Sequence, residues 1–205
     1  WGLGVEVYDL STATSGPTED LLLFEAYGRG DPDATFVDLG TVARLIKIKV
    51  GADDPVGRIE AVRRAAPAAR LIVDANEGWT IDILREAQPA LERASVSLLE
   101  QPLPADADDA LLGFSSLIPI CADEACHTTA DLPSLRNRYQ AVNIKLDKTG
   151  GLTEAWRLLR DARARGFGIM VGCMVCSSLG IAPALELARE ADFVDLDGPL
   201  WQIGR

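Results

Sequence analysis

Residues 71–101, LIVDANEGWTIDILREAQPALERASVSLLEQ, hold the repeat that decides the fold. Leu71–Asp74 is a short apolar run ending on an acid, and Val96–Glu100 is a second run ending the same way. Between them, Thr80–Leu91 carries a helical pattern opened by a threonine, a residue type that caps helix N-termini by accepting from a free backbone N–H. Strand, helix, strand in about 30 residues is a parallel crossover, which is right-handed in nearly all proteins. The strands are apolar on both faces, as buried parallel strands are. Both acids therefore leave the same end of the sheet.

The pattern extends in both directions. Downstream, Ile118–Ala122 runs into Asp123 within PICADE, and Ala141–Lys145 ends VNIK before LDKTGG. Upstream, Leu45–Val50 carries Lys47 and Lys49 in IKIKVG. From Lys49 through Asp74, Glu100 and Asp123 to Lys145 the steps are 25, 26, 23 and 22 residues. That stride suits one strand, one helix and two loops. Gly168–Val171 and Phe193–Leu196 complete seven strand-like runs. Helical patterns are expected at Asp54–Ala66, Ala107–Leu117, Thr129–Arg138, Leu152–Arg165 and Gly180–Ala191, with Gly166 placed to stop the fourth of these. The expected fold class is α/β, a modified TIM barrel of (β/α)7β type that is incomplete at both ends, with a doubly wound sheet as the alternative. Residues 44–205 form the expected catalytic β/α barrel, and residues 1–43 an irregular or degraded first barrel unit. In that segment LLLFEAY reads as a strand or a helix turn, and Ser11–Ser15 as a remnant strand or irregular chain.

Charge and composition narrow the function. The 205 residues carry a net charge of −11, with 20 basic and 31 acidic side chains and no basic patch, which argues against nucleic acid and anionic membranes as partners. No apolar run approaches membrane-spanning length and no signal-peptide pattern is present, so a cytoplasmic location is expected. Cys173-Met-Val-Cys176 has the spacing of a redox pair or half a zinc site. With no second such pair and a single histidine, His127, reduced thiols are the plainer reading.

Three carboxylates at matched strand ends suit a hard divalent cation such as Mg²⁺, which takes oxygen ligands and keeps open positions for water or substrate. Asp74, Glu100 and Asp123 are the candidate ligands. Lys47 and Lys49 alternate with Ile46, Ile48 and Val50, so both lysines share one face of their strand. A buried lysine pair is costly without a task, and two like charges ease deprotonation of one member. Lys145 lies three strands further on, and Lys148 reads as a solvated loop lysine. Two lysines flanking a cation-bound carboxylate describe removal of an α-proton from one face and its return to the other. Asp195 and Asp197 alternate with Leu196 and form a carboxylate pair suited to a cation.

IKIKVG, DANEGWT, LLEQPLP, ADE, NIKLDKTGG, VGCMVCSSLG and DLDGPL, in that order, resemble the catalytic barrel of the enolase superfamily over residues 44–200. The closest branch is the muconate-lactonising-like group, and within it the dipeptide epimerases of the L-Ala-D/L-Glu type. The resemblance implies Mg²⁺ on Asp74, Glu100 and Asp123, with Lys49 and Lys145 as the acid/base pair. It implies that Lys47 contacts the substrate carboxylate and tunes Lys49, with Asn76 and Glu124 as supporting groups. It further implies that Asp195 and Asp197 receive the ammonium of a dipeptide. The small-molecule substrate expected is thus a dipeptide, and monomer and homo-oligomer both stay open. The family's N-terminal capping domain is expected to be absent from these 205 residues, which would leave the chain alone poorly active. The competing readings are a cycloisomerase or o-succinylbenzoate synthase-like lyase of the same superfamily, and a non-catalytic truncated fragment.

Overall fold

The computed structural model describes residues 4–9, 22–27 and 45–201. The chain forms two compact units. Residues 1–107 and 115–119 make the first, and residues 108–114 and 120–205 the second.

In the first unit, β1 (Gly4–Asp9) pairs antiparallel with β2 (Leu22–Tyr27). LLFEAY is therefore a strand rather than a helix turn, while Ser11–Ser15 lies outside the described residues. From β2 onward the pairing is parallel, through β3 (Leu45–Lys49) and β4 (Arg70–Asp74) to β5 (Val96–Glu100). Helix α1 (Pro55–Ala65) connects β3 to β4, and α2 (Ile81–Arg93) connects β4 to β5. Asp54 caps α1 by accepting from the Gly57 N–H at 3.0 Å, with Pro55 in the first turn where no N–H is needed. Thr80 caps α2 as its sequence context predicts, accepting from the Ile83 N–H at 3.3 Å. Ile59 and Val62 of α1 and Leu84 and Leu91 of α2 are buried, as are Ile46, Ile48, Leu71, Ile72, Leu98 and Leu99 of the strands. At roughly 1.5–3 kcal/mol per fully buried large apolar side chain, this layer is the main source of stability in the unit.

The second unit repeats the scheme. Strands β6 (Ile120–Ala122), β7 (Ala141–Lys145), β8 (Gly168–Gly172) and β9 (Phe193–Val194) pair parallel in chain order. A 3₁₀ turn (Thr129–Asp131) and the short helix α3 (Leu132–Leu135) follow β6. The single-turn helix α4 (Leu146–Thr149) and then α5 (Leu152–Ala164) follow β7. Gly166 adopts φ +84 and ends α5, its N–H donating to the Arg163 carbonyl at 3.0 Å, a stop that only glycine makes without strain.

Three expected helices differ, the first being Thr129–Arg138, which is the 3₁₀ turn and α3 and ends at Leu135. Ala107–Leu117 forms only the 3₁₀ turn Asp108–Leu111. Asp108 is drawn inward there, 2% exposed, to the Arg138 guanidinium and the Tyr139 hydroxyl (2.6 Å), and Gly113 turns the chain away at φ +75. Gly180–Ala191 splits into α6 (Ser178–Ile181) and α7 (Ala184–Ala188), because Pro183 between them lacks the N–H that a continuous helix requires. Strand β9 ends at Val194, so Asp195 and Asp197 stand on the loop that follows rather than in the strand. Among the described residues no helix is long and apolar enough to cross a membrane.

Candidate active site

Strand register places the first group. Lys49 is the register partner of Asp74, and Asp74 of Glu100, so three charged residues stand in one row at the ends of β3, β4 and β5. Lys47 lies one step back on the same face of β3. Its ammonium sits 3.0 Å from Asp74 Oδ2 and 2.9 Å from Glu100 Oε2, with all three side chains at most 3% exposed. Lys49, 28% exposed, reaches the same Asp74 oxygen at 2.9 Å and the Asn76 side-chain oxygen at 3.0 Å. The other Asp74 oxygen accepts from the Asn76 N–H at 2.9 Å. Burial alone would raise the Asp74 carboxyl, but the Lys47 and Lys49 ammoniums beside it outweigh burial and hold it below the usual carboxylate range. Asn76 thus contacts both residues, its side-chain oxygen accepting from Lys49 and its N–H donating to Asp74. Lys47 bridges two carboxylates, a contact the sequence did not announce.

The second group lies in the other unit. Asp123 follows β6 and is 2% exposed. Its Oδ2 accepts from Lys145 at 2.6 Å and its Oδ1 from Lys148 at 2.6 Å. Lys148 also donates to the carbonyls of Asp123 (2.6 Å) and Asn143 (2.9 Å). Burial raises Asp123, and the two ammoniums more than reverse it, leaving the carboxyl far below its ordinary value. Lys148 is thus no solvated loop lysine: its side chain is 12% exposed. The signal available in the sequence was its position one helical turn after Lys145, which turns it back towards the strand ends. Glu124 is half-buried, and its backbone carbonyl meets the His127 ring at 3.0 Å.

Asp195 is 6% exposed, its N–H donating to the Val171 carbonyl at 2.9 Å, and Asp197 is half-buried with Oδ1 3.9 Å from the Cys173 sulfur. Gly198 rests against the loop after β8, its N–H donating to Cys173 Sγ at 3.2 Å. Burial pushes the Cys173 thiol up to about 12, which leaves almost no thiolate for redox or metal chemistry at neutral pH. All four cysteines are free thiols.

Asp74 and Glu100 are buried oxygen donors converging on one cation, the Lys47 ammonium, and Asp123 offers the same donor type. This donor set has the chemistry Mg²⁺ takes. Among the described residues no group of three or more His, Cys, Asp or Glu side chains gathers closely enough to hold a metal ion.

A family model for the enolase C-terminal domain-like fold matches residues 35–195. The chain belongs to this family. Its enolase-type barrel sequence is 56% identical over 156 residues to an N-acetyl-D-glutamate racemase from a Pseudoalteromonas species, covering 76% of this chain and 50% of that protein. It is 49% identical to the L-Ala-D/L-Glu epimerase of Escherichia coli, covering 84% of this chain and 55% of the relative. The chain thus spans about half the length of the curated relatives it matches. Among solved structures, an enolase family member from Agrobacterium tumefaciens with homology to dipeptide epimerases, bound to sodium and L-Ala-L-Glu, matches with TM-score 0.80 at 49% identity. That match covers 87% of this chain and 55% of the other. A dipeptide epimerase from Cytophaga hutchinsonii, complexed with Mg and D-Ala-L-Val, matches with TM-score 0.77 at 28% identity over 86% of this chain and 52% of that one. The fold class is therefore the one that the strand repeat predicts, an α/β chain consistent with an incomplete TIM-barrel-like domain.

Proposed function

We propose that the protein carrying this chain epimerises an N-acylated amino acid, a dipeptide of the L-Ala-Glu kind, by 1,1-proton transfer through an enolate. Lys49 and Lys145 act as the two acid/bases, and Asp74, Glu100 and Asp123 hold Mg²⁺. The observation that carries the reading is the row Lys49–Asp74–Glu100, three charged groups in register at the ends of adjacent strands, with Lys47 buried behind them. So much buried charge is hard to account for as scaffolding, since replacing buried ion pairs by apolar residues is often neutral or stabilising. Enolase-superfamily sites pair a Lys or His base with Mg²⁺ in this way. When bound, the ion supplies positive charge to the substrate carboxylate as the α-proton leaves. Lys49 takes the proton from one face of the α-carbon and Lys145 returns one to the other. Asn76 orients Lys49 through its side-chain oxygen, and Lys47 offers a second ammonium to the substrate carboxylate.

A second substrate has a specific observation in its favour, the 56% identity to an N-acetyl-D-glutamate racemase. Chemically the two substrates are close. N-acetylglutamate and L-Ala-L-Glu share the glutamyl α-carbon, its carboxylates and an amide on the nitrogen. They differ at the carbon beside the acyl carbonyl, which in the dipeptide carries an ammonium and a methyl that the acetyl group lacks. Asp195 and Asp197 are the residues proposed to read that ammonium, and they favour the dipeptide. No such ammonium exists in cycloisomerase or o-succinylbenzoate synthase substrates.

The test is to incubate the full-length protein with Mg²⁺ and each substrate in D₂O and follow the α-proton by NMR. Exchange and epimerisation of L-Ala-L-Glu, falling when Asp195 and Asp197 are changed to Asn, is the expected outcome. Faster turnover of N-acetylglutamate, insensitive to D195N/D197N, would reassign the substrate. Unchanged turnover in K145A would remove the two-base mechanism.

A further inference from the structure

Lys148 is held at all three of its donors. An ammonium has three N–H donors, and here each has an oxygen: Asp123 Oδ1 at 2.6 Å, the Asp123 carbonyl at 2.6 Å and the Asn143 carbonyl at 2.9 Å. The carbonyls belong to the last turn of chain after β6 and to β7, so one side chain ties two strand ends together. The local fold is arranged to deliver it. After Lys145 the chain makes a single helical turn, α4, and closes with the Gly151 N–H on the Leu146 carbonyl at 3.0 Å. Gly150 and Gly151 follow at φ +72 and +131, conformations that favour glycine over any other residue. Lys148 therefore returns over the strand ends instead of running on into α5.

The consequence falls on Asp123. Its two oxygens are divided between two lysines, Oδ1 to Lys148 and Oδ2 to Lys145 at 2.6 Å. With Lys148 on Oδ1, Lys145 meets the carboxylate at Oδ2. Without Lys148, Oδ1 loses that donor and the Lys145 ammonium is drawn further onto the carboxylate, away from anything else it must reach.

We propose that Lys148 is a positioning residue: by occupying Asp123 Oδ1 and both neighbouring carbonyls, it fixes the carboxylate and thereby sets where the Lys145 ammonium stands. The inference rests on Lys145 being one of the two acid/bases, and its structural half can be read without that. Lys148 touches no reacting atom in this scheme. Its effect runs through Asp123 to Lys145 and leaves Lys49, in the other unit, alone.

The test compares full-length wild type, K148M and K148R. Methionine keeps the length and apolar stem and removes all three donors; arginine keeps the charge and a donor for Asp123. Two readouts are taken. Crystal structures of wild type and K148M grown without divalent metal show whether the Lys145 ammonium moves to bridge both Asp123 oxygens. Exchange of the α-proton in D₂O, measured separately from the two stereoisomers of the substrate, reports each base on its own face. The expected result is a bridged Lys145 and, on the Lys145 face, a loss of about tenfold to a hundredfold in kcat, with KM and the Lys49 face changed by less than about threefold, since displacing a reacting group by about 1 Å costs on that order. K148R restores most of the loss. An unmoved Lys145 in K148M overturns the proposal, and so does an equal fall on both faces, which marks Lys148 as a general staple. Wild type that exchanges neither stereoisomer sinks the epimerase reading instead, and the crystal structures then still decide the placement of Lys145.

Discussion

Replacing Lys47 by methionine separates a buried charge that organises its neighbours from one that merely decorates a strand. Lys47 is 2% exposed and its ammonium lies 3.0 Å and 2.9 Å from two carboxylates that are themselves at most 1% exposed. At that separation and an effective dielectric near 20, each pair attracts by roughly 5 kcal/mol. Desolvation of the lysine, which the substitution relieves, offsets a large part of the sum. What stays behind decides the net: Asp74 keeps Lys49 at 2.9 Å, whereas the Glu100 carboxylate loses the cation at 2.9 Å. Breaking a buried pair from one side costs about 3–5 kcal/mol, and methionine fills nearly the same volume, so little of this is cavity. K49M removes a side chain that is 28% exposed, from an aspartate that still has Lys47, and costs about 1 kcal/mol or less. Urea unfolding followed by far-UV circular dichroism gives both values. Adding E100Q to K47M recovers part of the loss, because the carboxylate that faced Lys47 is then neutral. A K47M cost below about 1 kcal/mol, or equal costs for K47M and K49M, refutes the reasoning.

Other perturbations follow from single contacts. A Cβ added at Gly198 falls on the Met174 carbonyl oxygen and 3.0 Å from Cys173 Sγ, so G198A destabilises by about 1–3 kcal/mol, read as a fall in Tm, and displaces Asp197. R138M strands Asp108, which is 2% exposed and otherwise held by Tyr139, and lowers stability by about 3 kcal/mol in urea. Asp131 is lowered from 3.8: partial burial would raise it, but the Thr128 and His127 N–H groups it accepts at 2.8 and 2.9 Å prevail. A depressed folded value means stability is present above the unfolded pKa and lost as pH falls through the folded one. D131N therefore lowers Tm at pH 6 and narrows its gap to wild type below pH 4.

How much of this could be read from the sequence depends on what each residue answers to. Strand ends were legible because the acid or lysine that closes a buried apolar run marks the point where the chain leaves the sheet; β5 and β7 fall on the expected residues, and β3 and β4 within one. Long helices with caps were legible for the same local reason, as Thr80 and Gly166 show. Ala107–Leu117 was not, because the fate of Asp108 is set by Arg138 and Tyr139, about 30 residues away in sequence. Lys148 was misread on similar grounds. Its partners are two backbone carbonyls and a carboxylate on other segments, and the one local signal, its position a helical turn after Lys145, says only that it turns back and not what it meets.

The backbone around the acids shows what holding them requires. Asn76, Glu77 and Gln101, just past Asp74 and Glu100, have φ of 43, 62 and 31, a region that costs side-chain-bearing residues on the order of 1–3 kcal/mol each. Such strain persists only where the surroundings fix it, and here they do. The β4–β5 ladder continues beyond the strands through Ala75 N–H to the Glu100 carbonyl (3.1 Å), Glu77 N–H to Gln101 (2.8 Å) and Trp79 N–H to Pro102 (2.9 Å). Glu77 Oε1 accepts from the Ala105 N–H at 2.8 Å, and the buried Trp79 indole donates to the Gly51 carbonyl at 3.1 Å. These bonds bind the loops after β3, β4 and β5 into one layer. The layer lets the chain turn sharply while Asp74 and Glu100 stay side by side, and it explains why Asn76 can reach Lys49. A loop free to relax its φ angles would gain that strain energy back and lose the alignment of the acids. The strained turns and the buried charges are therefore one construction, in which stability is given up along a single sheet edge and supplied by the apolar layer of β3–β5, α1 and α2 beneath it.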